Sequence, residues 1–258
     1  MTHLFGVDRS TEIGTRRLGG GKRGGNPADQ QPGGQQGGGE FGPDTTPNFE
    51  ATAALAALAA STERLRLGSL VFGNTYRHPA VLANWAATVD HVSGGRLVLG
   101  IGAGWQENEH QQYGIDLPAP KERLDRFDEA CQVILGLLRE ERTTFHGRHY
   151  RLEGAVAEPK PVQQPLPLLI GGKGDRMMGI VARYADEWNM WGLPEAIAER
   201  SGVLERRCEA IGRDPSTIAR SAQALVMLTA DRAKADAFVA GTGGRAAVAG
   251  PPEHLAEV

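Results

Sequence analysis

The sequence predicts a parallel α/β fold of the (β/α)8 TIM-barrel type, on three observations. Strand-like and helix-like segments alternate from about residue 44 onward, as in a parallel sheet joined by right-handed crossovers. At 258 residues the chain is long enough for one large α/β barrel. Glycines gather where several separate strands end: Gly73, then Gly102 and Gly104, then Gly171, Gly172 and Gly174. An open doubly wound sheet serves its ligand from one fingerprint at one switch point, whereas a barrel brings all its strand ends to one face. The spacing Gly100-x-Gly102-x-Gly104 also departs from G-x-G-x-x-G.

The elements follow in order. Residues 1–42 stand apart: Gly19 to Gly42 carries eleven glycines and four glutamines, leaving almost nothing apolar to bury. Such a segment is expected to be disordered, or to be a misread stretch of coding sequence. Only HLFGV, His3 to Val7, resembles a strand there. The remainder, 43–258, is expected to form one barrel domain. The alanine-rich stretch Phe49 to Ala60 is a strong helix former. Leu65 to Asn74 reads as a strand. His78-Pro79 opens a helix, since proline is tolerated in the first turn, and Gly94-Gly95 stops it. Leu97 begins the strand that runs into the three alternate glycines. Leu124, Phe127, Cys131, Ile134 and Leu138 trace one face of a helix from Pro120. Thr143 to Leu152 has a hairpin's alternation about Gly147. Pro167 to Gly171 is a strand that leads into a helix near Asp175. Asp186 to Trp191 is a strand, Pro194 starts a long helix, Ser221 to Leu228 is a strand and Arg232 to Val239 a helix. A further helix begins at Pro251. Five strands are clear, or six with HLFGV, against the eight a closed barrel needs.

Composition narrows the function. Hydrophobic residues make up 40% and charged residues 23%, ordinary values for a water-soluble globular chain. A net charge of −3 gives no basic surface for nucleic acid, and no apolar run is long enough to cross a membrane. Cys131 and Cys208 are far apart and have neither zinc nor disulfide spacing, which suits a cytoplasmic location. His146 and His149 have no third ligand nearby, so no metal site is expected.

The chemistry-bearing stretch is LVLGIGAGWQENEH, Leu97 to His110, where a strand breaks into glycines, an aromatic ring and carboxylates. Glycines let a backbone approach a planar or phosphorylated ligand closely. Gly171-Gly172-Lys173-Gly174 precedes a helix, whose N-terminal N–H groups and dipole favour a phosphate, with Lys173 adding charge. The alternative for both stretches is an ordinary tight turn.

These stretches, with Gly42 to Pro79, Ala86 to Gly114, Val181 to Asn189 and Glu209 to Ile218, resemble the bacterial-luciferase-like family, in particular its deazaflavin-dependent oxidoreductases. The resemblance implies a barrel that holds the deazaflavin coenzyme F420, or alternatively FMN, at the C-terminal ends of its strands. It implies that Gly73 and Asn74 support the ring from one strand end. Gly102, Gly104 and Asn108 would line the cofactor from the next, and Gly171, Gly172 and Gly174 would hold its phosphate. A side chain at Gly104 is expected to take the ring's place. Glu107 is the candidate catalytic residue on the substrate side, against the alternative of a solvated loop charge, and His110 is expected to be structural.

Two departures accompany the resemblance. The Asp-His pair that the family places beside the ring would fall within residues 1–42, and the carboxylate some dehydrogenases carry after the glycine run is here Trp105. The chain therefore looks incomplete at both ends, and no eighth strand is visible after Pro251. The implied activity is hydride transfer to or from a small organic substrate, by a protein that could form a homo-oligomer. The alternatives are an FMN-dependent monooxygenase using oxygen and a truncated, inactive barrel.

Overall fold

The computed structural model describes residues 3–8, 13–14 and 49–255. The expected boundary at residue 43, and nearly all of segment 1–42, lie outside the described residues. In chain order the elements are β1 (His3–Asp8), β2 (Ile13–Gly14), α1 (Ala51–Ser61), β3 (Leu65–Leu70), β4 (Phe72–Gly73), α2 (Pro79–Ser93) and β5 (Leu97–Gly102). They continue with α3 (Glu107–Tyr113), α4 (Pro120–Arg139), the hairpin β6 (Thr143–His146) and β7 (Arg151–Ala155), β8 (Leu168–Gly171) and α5 (Asp175–Tyr184). Next are β9 (Glu187–Trp191), α6 (Pro194–Glu209), a 3-10 turn (Pro215–Thr217), β10 (Ala219–Gln223), β11 (Leu225–Leu228), α7 (Arg232–Ala240), β12 (Ala247–Gly250) and α8 (Pro252–Leu255).

The main sheet runs β10-β9-β8-β5-β3-β1-β2, with β4 also paired to β5. From β3 to β10 every pairing is parallel, which gives a curled half-barrel of the predicted class. β11 and β12 form a separate parallel pair joined through α7. Three features differ from the sequence reading. HLFGV is a strand but pairs antiparallel with β3, His3 opposite Leu70 and Asp8 opposite Leu65, so it supplies partners to the exposed backbone edge of β3. The stretch Ser221–Leu228 is not one strand: β10 ends at Gln223 and β11 starts at Leu225. β12 and α3 were not foreseen, because four residues among glycines and seven polar ones give no readable period.

Local chemistry explains the boundaries. Glu50 accepts from the Ala53 N–H at the start of α1, and Asp231 does the same for Lys234 in α7. Pro79, Pro120 and Pro194 each open a helix. α2 stops at Gly94, which is left-handed at φ 64°, and its N–H bonds back to the His91 carbonyl. Helices cover one face of the sheet. Leu55, Leu82, Val89, Phe127, Ile134, Met178 and Val181 from that layer share a core with Leu97, Leu99, Ile101, Leu168, Ile170 and Trp188 from the strands. Strand alternation puts Val98, Gly100 and Gly102 on the opposite, concave face. No helix among the described residues is long and apolar enough to cross a membrane.

Arg96 ties the N-terminal ends of the strands together. It is buried and faces no carboxylate; all five of its donors go to oxygens. Nε donates to Ser93 O at 2.7 Å, Nη1 to Leu65 O and Thr62 Oγ1 at 2.6 and 3.1 Å, and Nη2 to Ala59 O and Thr62 O at 2.8 and 2.6 Å. Three of these acceptors are at the C-terminal end of α1, where a cation is favoured. Replacing Arg96 with Leu should lower stability by about 3 kcal/mol, because the stranded carbonyls stay buried. Urea unfolding of the two proteins checks this, and Arg96→Lys should recover only part of the loss.

Candidate functional site

The strand ends meet at a cavity of about 400 Å3 lined by residues from the ends of six strands. Leu70, Val71, Gly73 and Tyr76 come from β3, β4 and the turn after them. Gly102, Ala103, Gly104, Trp105 and Gln106 follow β5; Gly171, Gly172, Lys173 and Met177 follow β8; Asn189, Met190 and Trp191 close β9, and Gln223 closes β10. The lining is mostly apolar with a few convergent polar groups, the usual make-up of a small-molecule site. Among the described lining residues Lys173 is the only formal charge, and Tyr76 the only other titratable side chain.

The glycines are there for different steric reasons. A Cβ on Gly100 would stand 1.8 Å from the Ser69 carbonyl oxygen, so Gly100 permits β3 and β5 to close up and has no part in the cavity wall. A Cβ on Gly102 would meet Val71 Cγ2 at 2.8 Å, and one on Gly171 would meet both Val71 methyls at 3.1 Å. Val71, joined to Leu70 by a cis peptide bond, thus lies down between two strand ends and forms part of the cavity floor. A Cβ on Gly73 would strike the Tyr76 ring at 2.8 Å, so Gly73 is the seat of that ring. Gly104 is left-handed at φ 88°, and its Cβ would meet Thr75 Oγ1 at 2.7 Å. That corrects the expectation that a side chain there would enter the ligand's space.

A hydrogen-bonded network fixes the wall between the turn after β4 and helix α3. The Asn74 N–H donates to Gly102 O at 2.9 Å. The Tyr76 hydroxyl donates to Glu109 Oε2 at 2.8 Å, and its ring lies 4.6 Å from that of His110. His110 Nδ1 is 2.6 Å from the Gln106 carbonyl oxygen, which can only accept, so Nδ1 carries the proton and Nε2 accepts from the Thr75 hydroxyl at 2.7 Å. His110 is therefore buried and fully engaged within the protein. Burial first, then the hydrogen bond and charge of Glu109, push the Tyr76 phenol well above the usual tyrosine range. Arg123 of α4 donates to Gly104 O at 2.9 Å and holds the glycine loop from behind. Gln106 is buried and gives its Nε2 to Asn108 Oδ1 at 2.6 Å, while its Oε1 has no partner.

The opposite wall is built on β8 and β9. Trp188 Nε1 donates to Gly172 O at 2.7 Å, and the Gly172 N–H donates to Asn189 O at 3.0 Å. Helix α5 begins immediately after Gly174, and no side chain caps its first turn. Its leading N–H groups stay available to solvent or ligand beside the exposed Lys173.

Five of the glycine and asparagine positions expected to bind the cofactor, Gly73, Gly102, Gly104, Gly171 and Gly172, line this one cavity; Asn74, Asn108 and Gly174 do not. Asn74 turns its side chain to Tyr150, donating at 3.1 Å to the phenol oxygen. Asn108 is engaged with Gln106, and Gly174 is the N-cap of α5. Glu107 is exposed at the start of α3, away from the lining; Glu109, two residues on, touches a lining side chain. His146 pairs with Glu153 at 3.0 Å, and no group of three metal-ligating side chains occurs among the described residues. Tyr76, Asn189, Trp191 and Gln223 were missed. Their one sequence signal was position, each within three residues of the C-terminal end of a strand.

A half-barrel with its ligand cavity at the strand ends defines a class of small-molecule enzymes. Comparison with known proteins identifies the family: residues 34–256 match the luciferase-like monooxygenase family, and the chain belongs to it. It is 38% identical over 133 residues to the F420-dependent glucose-6-phosphate dehydrogenase of Nakamurella multipartita, covering 51% of this chain and 39% of that protein. It is 32% identical over 173 residues to the pyrimidine monooxygenase RutA of Stutzerimonas stutzeri, covering 64% of this chain and 47% of that one. The chain thus spans less than half the length of these relatives. Among solved structures, an F420-dependent secondary alcohol dehydrogenase in complex with an F420-acetone adduct superposes with a TM-score of 0.71 at 20% identity, covering 83% of this chain and 75% of that one. The F420-dependent tetrahydromethanopterin reductase of Methanopyrus kandleri gives 0.65 at 22%, covering 72% and 57%. Both show the same barrel fold.

The network makes a stability contrast. Gly104→Ala forces a side chain into a left-handed position and against Thr75, the hydroxyl that His110 accepts from, and should cost about 2 kcal/mol. Gly174→Ala meets nothing within 4 Å at an ordinary φ of −67° and should change stability by less than about 0.5 kcal/mol. Urea midpoints of the two variants against the parent measure the difference.

Proposed function

We propose that this chain binds a deazaflavin coenzyme in the strand-end cavity and passes a hydride between it and a small organic substrate. The observation that carries the reading is the convergence of Gly73, Gly102, Gly104, Gly171 and Gly172, from three separate parts of the sheet, on one apolar cavity with Lys173 beside it. The residues fit such a group. Glycine at 102 and 171 lets Val71 lie low, which leaves a floor suited to a planar ring. Lys173 and the uncapped start of α5 suit a phosphate. Gly174 would contribute as the N-cap of that helix and Asn108 through its hold on Gln106, while Asn74 anchors the turn that carries Tyr76.

When bound, a deazaflavin supplies a ring carbon that exchanges a hydride and reacts poorly with oxygen. The protein's part is positioning and exclusion of water. Trp105 and Trp191 border the cavity and would shield the reacting face. Glu107, exposed on α3, would reach a substrate only at the outer rim. Two of the similar proteins are named as F420-dependent dehydrogenases, one of a secondary alcohol, which supports hydride removal from a carbon bearing a hydroxyl group. The similarity to a pyrimidine monooxygenase over 173 residues favours a second reading, an FMN-dependent monooxygenase.

Fluorescence titration with the deazaflavin coenzyme and, separately, FMN tests both. Binding of the deazaflavin at micromolar or better dissociation constant, tighter than FMN, is expected. Lys173→Ala should weaken binding about tenfold, roughly 1.4 kcal/mol, with the loss shrinking at high salt. Tighter binding of FMN would favour the monooxygenase, and no binding of either ring would leave an inactive barrel.

A further inference from the structure

Oxidising an alcohol by hydride removal releases a proton from its hydroxyl, and a base must receive it. Among the described residues no Asp, Glu or His lines the cavity, and Lys173 stands exposed beside the phosphate-type pocket. The remaining titratable group is Tyr76, which is placed unusually firmly for a side chain in a turn. Its ring sits on the bare Cα of Gly73, with His110 4.6 Å away, and its hydroxyl donates to Glu109 Oε2 at 2.8 Å. The phenol oxygen is also 3.3 Å from His110 Nδ1, whose proton is held more closely by the Gln106 carbonyl at 2.6 Å. A phenol oxygen has two lone pairs, so one remains for an incoming hydroxyl.

We propose that Tyr76 and Glu109 form a proton relay leading out of the cavity, and that the chain acts on substrates that present an alcohol to Tyr76. This deepens the deazaflavin reading and rests on it. In the step, the C–H bond of the alcohol carbon breaks and its electron pair leaves with the hydrogen as a hydride for the oxidised ring. The substrate O–H bond breaks, its proton passes to the Tyr76 oxygen, and the Tyr76 proton passes to Glu109. The products are a carbonyl compound, the reduced coenzyme and a protonated Glu109. Tyr76 enters and leaves as a neutral phenol, so its raised affinity for its proton does not impede the transfer. Tyr76 is a catalytic residue in this scheme. Glu109 does not line the cavity; it acts through Tyr76 as a positioning residue and final acceptor.

The test uses full-length protein, Tyr76→Phe, Glu109→Gln and Glu109→Asp, with glucose 6-phosphate, a primary alcohol and 2-propanol as probes. The first readout needs no turnover. The chain has four tyrosines, and with 3-fluorotyrosine incorporated, the fluorine resonance missing from Tyr76→Phe marks Tyr76. Glu109→Gln should move that resonance in coenzyme-free protein. A reactive alcohol should move it further in coenzyme-loaded parent protein. The second readout is reduction of the bound ring, followed by absorbance. Tyr76→Phe should slow it at least about 100-fold with coenzyme affinity within twofold, and abolish the solvent deuterium isotope effect. Glu109→Gln should slow it less, and Glu109→Asp should restore part of the rate. Reduction at parent rate in Tyr76→Phe, or a resonance indifferent to Glu109→Gln, would overturn the relay. A parent protein that binds the ring but is reduced by none of the three alcohols would also overturn it and leave the deazaflavin reading standing. A parent that binds no ring would overturn both.

Discussion

The structure depends on how closely β3 can approach β5 and β8 near their C-terminal ends. Three residues without side chains set that distance. Gly100 lets the Ser69 carbonyl come to where a Cβ would otherwise be, and the Ser69 hydroxyl then bonds Gly100 O at 2.8 Å. Once the strands are this near, Val71 has room only in the gap left by Gly102 and Gly171. The floor of the cavity is therefore a consequence of strand packing: backbone contact at Gly100 brings the strands together, and the Val71 methyls fill the gap over Gly102 and Gly171. Any of these three positions occupied by a larger residue would separate the strands or lift Val71 into the space a ligand needs.

The two ends of the sheet divide the work. At the N-terminal ends Arg96 satisfies the backbone of α1, α2 and β3, and Gln163 gives its N–H and its amide to the Asp90 carboxylate at 2.9 and 2.7 Å. These three side chains are paired inside the protein, which fits a stabilising role. At the C-terminal ends the polar groups are incompletely used: Gln106 Oε1 is buried without a partner and the first turn of α5 is uncapped. A buried polar atom left unpaired is costly, and Gln106 is the residue among the cavity lining that carries one, at the end of a barrel where function is usually carried.

Much of this could be read from the sequence, and the reasons it could are specific. Pro79 and Gly94 bracket α2 because each solves a backbone problem that few residues can solve. The glycine clusters announced the strand ends because a close approach of backbones leaves no alternative residue. What stayed hidden was direction. Asn74 and Tyr76 are two residues apart, yet one turns to Tyr150 and the other borders the cavity, and spacing along a turn carries no such information. Likewise Glu107 and Glu109 are chemically identical, and only the unforeseen helix α3 decides which carboxylate meets a side chain of the site. The antiparallel docking of β1 was illegible for another reason: it answers an unpaired edge of β3, a property of the assembled sheet that no residue of HLFGV encodes.

That same distinction separates the two walls of the cavity. The wall beside α3 is cross-tied by side chains: Thr75 to His110, Tyr76 to Glu109, Arg123 to the Gly104 carbonyl, and Asn74 through its backbone to Gly102. Each tie joins segments far apart in sequence, so the turn after β4, the glycine loop, α3 and α4 are held to one another. The facing wall is held chiefly by main-chain contacts, Gly172 to Asn189 and Gly192 to Gln223, with Trp188 Nε1 as its one indole strut. The hydride transfer proposed above would be served by this asymmetry. The group that handles a proton has to hold its geometry to within a fraction of an ångström. A surface that admits a phosphorylated tail gains from exposed Lys173 and from glycines that adjust at little steric cost. The rigid wall is thus the natural place for chemistry, and the glycine-rich wall the natural place for binding.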